Sequence, residues 1–448
     1  MKKSYEKPVI KRYQAGIADK FAPIAAVKTL KAIEGRPVAD LIKEYGSPLF
    51  VYSERQVRET HQRLLDAFSM RYPRVQAAWS YKTNYLRAIC RLYQRLGSWA
   101  EVVSPMEYEM ARKLGMPPEQ IVFNGPYKPY EALKKAVLEG AMVNADSLDE
   151  LSDLERIAEE TGAPVAAGIR LNMALEGGFM SWDRFGFNLD SEQAFHAVKK
   201  VTAKGKVRIR GLHSHIGTFI LDVDHYRTQA GKMVGFALQL KEKLGIKIEY
   251  IDVGGGFASD IDLKGSYLRT SEVIPHFEEY AEVICTPLLD AFAPEDLPLL
   301  LLESGRAMID EAGSLCATVI ATRRLGSGQR ALVLDAGVNL VFTSFWYNHE
   351  ILPAADKSLP LEDHVVYGPL CMQIDVLRDS VKLPFLEKGD QVVIRPVGAY
   401  NNTQWLQFIN LRPAVVLLGE EEKIAVIREP ETVDYLQQPE HLPTWLRD

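Results

Sequence analysis

The side chains with the greatest chemical reach stand just after short apolar runs. Lys82 follows one such run, in Ala78-Trp79-Ser80-Tyr81-Lys82-Thr83-Asn84, at the end of a β-like segment that begins at Val75. A lysine held at the end of a buried strand can lose its proton and form an imine with a carbonyl. It can equally snorkel its ammonium to water. His213-Ser214-His215-Ile216-Gly217-Thr218 follows the β-like segment 208–212. Its second ring can stack on a flat heterocycle, with Gly217-Thr218 reaching a phosphate, or it can be a hydrogen-bonded structural histidine. Two histidines two apart, with no third His or Cys nearby, make a poor zinc site, and no metal is expected.

Gly254-Gly255-Gly256-Phe257 follows 248–253. Such a triplet lets backbone N–H groups turn onto a phosphate, though a flexible turn would read the same. Glu303-Ser304-Gly305-Arg306 follows 299–302. Glu303 either pairs with Arg306 or holds a heterocyclic ring nitrogen protonated, the electronic adjustment that makes pyridoxal phosphate an electron sink. Further on lie Gly368-Pro369-Leu370-Cys371 and Gly398-Ala399-Tyr400. A single cysteine is most often only a small buried side chain.

These residues need a scaffold that brings strand ends together. From Pro48 the sequence alternates short apolar strands with helical stretches. Strands are expected at 49–52, 75–80, 99–103, 121–123, 142–144, 165–171, 208–213, 248–253 and 299–302. Helices are expected at 54–71, 86–96, 106–114 and 129–139, after a short one at 38–45. This is the rhythm of βαβ units, and so many units in this length suit a closed (β/α)8 barrel, whose active sites lie at the strands' C-terminal ends. Beyond Gly313 the helices drop out. Strands at 316–322, 330–335, 392–395, 414–418 and 423–428, with turns such as Gly326-Ser327-Gly328, predict a mainly antiparallel β domain. The expected division is a barrel over 48–312 and a second domain from 1–47 plus 313–448, an α/β barrel with an appended β unit.

The 448 residues are 47% hydrophobic and 25% charged, an ordinary globular composition. A net charge of −6 gives no reason to expect nucleic acid or an anionic membrane as partner. No stretch approaches the length of a bilayer span. The basic start Met1-Lys2-Lys3-Ser4-Tyr5-Glu6-Lys7-Pro8 has no apolar core and is no secretory signal. The scattered cysteines Cys90, Cys285, Cys316 and Cys371 contain no CxxC pair, and a reducing cytoplasm is the expected setting.

In their order and spacing these motifs resemble the fold type III pyridoxal-phosphate decarboxylases, the diaminopimelate and ornithine decarboxylase family. The resemblance runs from about Gly46 to Pro413. It implies that Lys82 is the lysine bound to the cofactor and that His215 stacks on the ring. It also implies that Thr218, Gly255, Gly256, Gly305, Arg306 and Tyr400 hold the cofactor, and that Glu303 faces the ring nitrogen. Asp183-Arg184-Phe185-Gly186 corresponds to a recurrent stretch, and Ser304 stands where the family carries proline. Cys371, with Asp375 following, matches the catalytic cysteine that protonates the substrate's α-carbon. The resemblance further implies a homodimer in which Cys371 reaches the other subunit's site.

Arg306, Thr343, Tyr347, Met372 and Tyr400 are the candidate substrate contacts. Diaminopimelate decarboxylases place an arginine near Thr343 and a glutamate after the catalytic cysteine, where this chain has Met372. Without that arginine and carboxylate a distal zwitterion would lose its paired contacts. Gln373, Asn401, Asn402, Thr403 and Gln404 suit an uncharged or larger amino-acid conjugate, or they line an interface. The expected activity is decarboxylation of a diamino acid or amino-acid conjugate, with meso-diaminopimelate as the alternative. A racemase should lack the Cys371 and glycine-triplet pattern. A non-catalytic relative that binds the cofactor would have no need to keep the whole set.

Overall fold

The computed structural model describes residues 28–175, 182–266, 268–358 and 360–447. The polar amino-terminal stretch read above therefore lies outside the described residues. Eight parallel strands close on themselves: β1 (Val75–Ser80), β2 (Trp99–Val102), β3 (Ile121–Phe123), β4 (Met142–Ala145), β5 (Val165–Asn172), β6 (Val207–His213), β7 (Tyr250–Asp252) and β8 (Leu299–Leu302). The circle is completed by β8 pairing with β1, Leu300 opposite Val75.

Alternation along each strand sends one set of side chains outward and the other into the barrel. Outward residues such as Ile121, Phe123, Leu300 and Leu302 are fully buried under the helices, each contributing about 1.5–3 kcal/mol of burial. Trp79 of β1 stacks on Tyr93 of helix Arg87–Arg95 at 3.9 Å and 11°, fixing the strand that carries Lys82. Inside, a small apolar cluster of Ala78, Val122, Met142, Tyr250 and Leu301 fills the barrel. Two residues further along each of those strands the interior turns polar. Serine N-caps start several of the surrounding helices: Ser53, Ser104 and Ser147 accept from Gln56, Glu107 and Glu150 N–H groups.

The second unit is a mostly antiparallel sheet built around the long strand Gly313–Arg324. One expectation is corrected here. Leu49–Ser53, counted as the first strand of the barrel rhythm, lies instead in this sheet, antiparallel to Gly313–Arg324 and parallel to Val415–Leu418. Its five residues are all buried, so both faces are covered, and a locally apolar run does not reveal which sheet covers it. The barrel unit thus starts at helix Glu54–Ser69, after the expected boundary at 48. Strands Glu350–Pro353, Glu362–Tyr367 and Val376–Leu383 extend the β unit beyond those expected. Among the described residues no helix is long and apolar enough to cross a membrane.

Candidate active site

The polar interior layer takes one residue from, or just beyond, the C-terminal end of each barrel strand. They are Ser80, Glu101, Asn124, Asn144, Arg170, His213, Asp252 and Glu303 in chain order. Above this ring opens a cavity of about 620 Å³. Of the expected site residues, Lys82, His215, Thr218, Gly256, Glu303, Gly305, Arg306, Thr343, Tyr347 and Tyr400 line it.

Lys82 sits in a single 3-10 turn directly after β1. Its Nζ donates to Glu101 Oε2 at 2.6 Å, and Ser80 Oγ donates to the same oxygen at 2.5 Å. Burial opposes the lysine's charge, but Glu101, Tyr400 and Glu303 outweigh it and raise the amine above its ordinary value. The expectation that burial frees this lysine of its proton is therefore reversed by its carboxylate neighbour. The turn is also tied to the second unit. Thr403 Oγ1 donates to the Lys82 carbonyl at 2.8 Å, Tyr400 N–H to the Thr83 carbonyl at 2.8 Å, and Asn84 Nδ2 to the Gly398 carbonyl at 3.2 Å.

Glu303 is buried against β6 and β7. Asn124 Nδ2 donates to its Oε1 at 2.5 Å, and His213 Nε2 lies 3.4 Å from its Oε2. Burial would raise this carboxyl, yet His213, Asp252 and Lys82 hold it well below the usual range. Burial and Glu303 push Asp252 the other way, so the pair shares one negative charge. Burial, with Lys82 and Arg170, holds His215 well below the ordinary histidine value, leaving a neutral ring. Gly256 has φ +103°, and a Cβ there would lie 2.5 Å from the Gly217 carbonyl, so only glycine lets the two loops meet. Arg306 pairs with Asp310 at 3.2 Å and lies 4.4 Å from the Tyr347 ring centre and 5.0 Å from that of Tyr400.

Three expected residues do not line this cavity. Gly255 packs behind it against the Glu303 backbone. Cys371 is exposed and Met372 half-buried, in the loop between Glu362–Tyr367 and Val376–Leu383. Thr343 does line the wall, but its hydroxyl is engaged by His349 Nε2 and Asn401 Oδ1, both at 2.9 Å. Sequence reading missed Glu101, Asn124, Arg170, Asp252 and Trp346. A carboxylate inside the apolar run 99–102 and a polar residue directly after 121–123 were the available signals.

The residues fit pyridoxal phosphate. Glu303, buried and held ionised beside His213 and Asp252, can accept from a ring N–H. The neutral His215 ring, Lys82 on Glu101 and a glycine cradle occupy the remaining sides. Residues 54–310, more than half the chain, match the family described as pyridoxal-dependent decarboxylase, pyridoxal binding domain. The chain is 30% identical over 427 residues to diaminopimelate decarboxylase of Methanothermobacter thermautotrophicus, covering 92% of this chain and 96% of that one. It is 29% identical over 416 residues to that of Aquifex aeolicus, covering 91% and 94%. The crystal structure of diaminopimelate decarboxylase from M. jannaschii in complex with L-lysine superposes with a TM-score of 0.85 at 27% identity, covering 94% of this chain and 99% of that one. On both sequence and fold, the chain belongs to the pyridoxal-dependent decarboxylases, carboxy-lyases that use pyridoxal phosphate.

Proposed function

We propose that the protein decarboxylates an α-amino acid whose distal end is uncharged, and that a second copy of the chain completes its site. The cavity wall carries this reading. Besides the ionisable residues around the cofactor position, among them Arg170, Arg306, Tyr347 and Tyr400, it presents neutral Thr343, Trp346, Gln404, Phe219 and Leu263 and no carboxylate other than Glu101 and Glu303. The loop that a second copy would bring, Cys371-Met372-Gln373-Ile374, is neutral too. The carboxylate that follows it, Asp375, is turned inward onto the Val338 and Leu370 N–H groups at 2.8 and 2.7 Å. A distal zwitterion would be stripped of water there without charged partners, at a cost of several kcal/mol.

The bound cofactor supplies an electron sink for the pair released when the carboxylate leaves. The chain's own groups do the rest. Lys82 Nζ would hold the cofactor through its aldehyde carbon. Glu303 holds a proton on the ring nitrogen, and neutral His215 orients the ring by stacking. Gly256 and Thr218 receive the phosphate. Arg306, braced by two tyrosine rings and with a buried Nε free of partners, offers N–H groups to an anionic oxygen. Cys371 of the second copy delivers the proton to the substrate's α-carbon. Its exposure on the isolated chain supports a role outside its own cavity. The cysteines are all free, which supports a reducing cytoplasm as the setting.

The test is CO2 release from meso-diaminopimelate, lysine, ornithine, arginine and α-amino acids ending in amide or acyl groups. The neutral-ended set should give the highest kcat/KM. A clear preference for diaminopimelate, the substrate in the relatives' names, would overturn the distal-end reading. A near-normal rate in Lys82→Ala would overturn the site itself.

A further inference from the structure

The barrel interior holds a directed chain of hydrogen bonds that the chemistry above does not use. The Tyr250 hydroxyl donates to Asn144 Oδ1 at 2.7 Å. Asn144 Nδ2 donates to Asn124 Oδ1 at 2.8 Å. Asn124 Nδ2 then donates to Glu303 Oε1 at 2.5 Å and to Glu101 Oε1 at 3.3 Å. All five side chains are almost completely buried. The order β7, β4, β3 and then β8 and β2 carries the chain across the barrel.

Room for it is built into the backbone. Tyr250 crosses the interior over Gly168 of β5 and Gly211 of β6, where any Cβ would overlap its ring or hydroxyl. Its oxygen therefore reaches Asn144 on the far wall. With Asn144 donating to the Asn124 oxygen, the Asn124 amide has one orientation left. Both of its N–H groups face the two carboxylates, one beside Lys82 and one at the ring-nitrogen position. Reversed, the amide oxygen would meet two carboxylates and leave Asn144 facing a donor.

We propose that Asn124, locked by Asn144 and Tyr250, is a positioning residue that keeps Glu303 ionised and aimed at the cofactor's ring nitrogen. The amide joins the two carboxylates of the site without adding charge, so Glu101 serves Lys82 while Glu303 serves the ring. The proposal rests on the assignment of Glu303 to the ring nitrogen, and its test separates the two.

The experiment loads the full-length enzyme with pyridoxal phosphate labelled with 15N in the ring and reads the nitrogen shift by NMR, alongside kcat. Glu303→Gln is the reference and should move the signal toward the unprotonated position. Asn124→Leu should move it the same way and lower kcat about tenfold or more, the scale of one lost hydrogen bond to a charged group. Tyr250→Phe, which leaves the cavity lining untouched, should give a smaller move in the same direction. A lower melting temperature in Asn124→Leu with an unchanged nitrogen signal would make the amide merely structural and overturn the proposal. If Asn124→Leu does not load cofactor, an unchanged signal in Tyr250→Phe overturns it instead. An unchanged signal in Glu303→Gln would remove the Glu303 assignment, and this proposal with it.

Discussion

Replacing Glu101 with glutamine should move the pH at which Lys82 captures its cofactor. The carboxylate oxygen lies 2.6 Å from Nζ, and the lysine side chain keeps 31% of its surface open to the cavity. An opposite charge at this range shifts a partner by about one to three pH units, equivalent to about 1.4–4 kcal/mol. Here the shift is upward, so the amine stays protonated until alkaline pH. Glutamine has nearly the same shape and can still meet Ser80 and Asn124, but it carries no charge. Burial then acts on Lys82 with less opposition and lowers its proton affinity. More free amine is present at any given pH, and the imine should form faster from apoenzyme and pyridoxal phosphate. The assay is stopped-flow absorbance of the imine band from about pH 7 to 12, a window that extends past the ordinary lysine value, fitted for the midpoint of the rate profile. Glu101→Gln should displace the midpoint downward by at least about one unit. A midpoint that stays put or moves upward would refute the claim that Glu101 sets the charge of Lys82.

Two further outcomes follow from other parts of the molecule. Lys82→Ala and Cys371→Ala, each nearly inactive, should recover about a quarter of wild-type activity when their subunits are mixed and exchanged, since a symmetric interface then assembles one intact site in half the dimers. No recovery, with exchange verified by mass, would mean that Cys371 serves its own chain. His61 is buried, with Nε2 2.8 Å from Ser98 Oγ, and burial lowers it to about 4 from the usual 6.5. Its contribution to stability should be lost as pH falls from 6.5 toward 4, because the unfolded chain takes up the proton first, at up to about 1.4 kcal/mol per unit. Denaturant melts of His61→Gln should show a shallower decline across this window, and parallel curves would count against it.

The strand-end logic found Lys82, His215, Glu303 and the glycine loop because each follows a local apolar run. It missed Glu101 and Asp252 because they lie within runs, where only the closed barrel shows that alternate residues point inward to a common centre. The strand 49–53 was assigned to the wrong sheet for a related reason. Its apolar content says that it is buried, while its partners are more than two hundred residues away. Strands Glu362–Tyr367 and Val376–Leu383 escaped notice because Glu362, Asp363, Arg378 and Asp379 interrupt them, as suits half-exposed strands. Thr343 was expected among the substrate contacts. Its actual bonds to His349 and Asn401 are tertiary contacts that no local pattern carries.

The placement of Leu49–Ser53 also sets a timetable for synthesis. This apolar strand leaves the ribosome before any part of the barrel, yet its first neighbour, Gly313–Arg324, follows 313 − 53 = 260 residues later. At about 5–20 residues per second that is a wait of roughly 13–50 s. Through that interval the barrel strands are made while LFVYS has neither edge paired. A chain that ends at residue 312 should therefore leave this apolar strand without a partner on either edge.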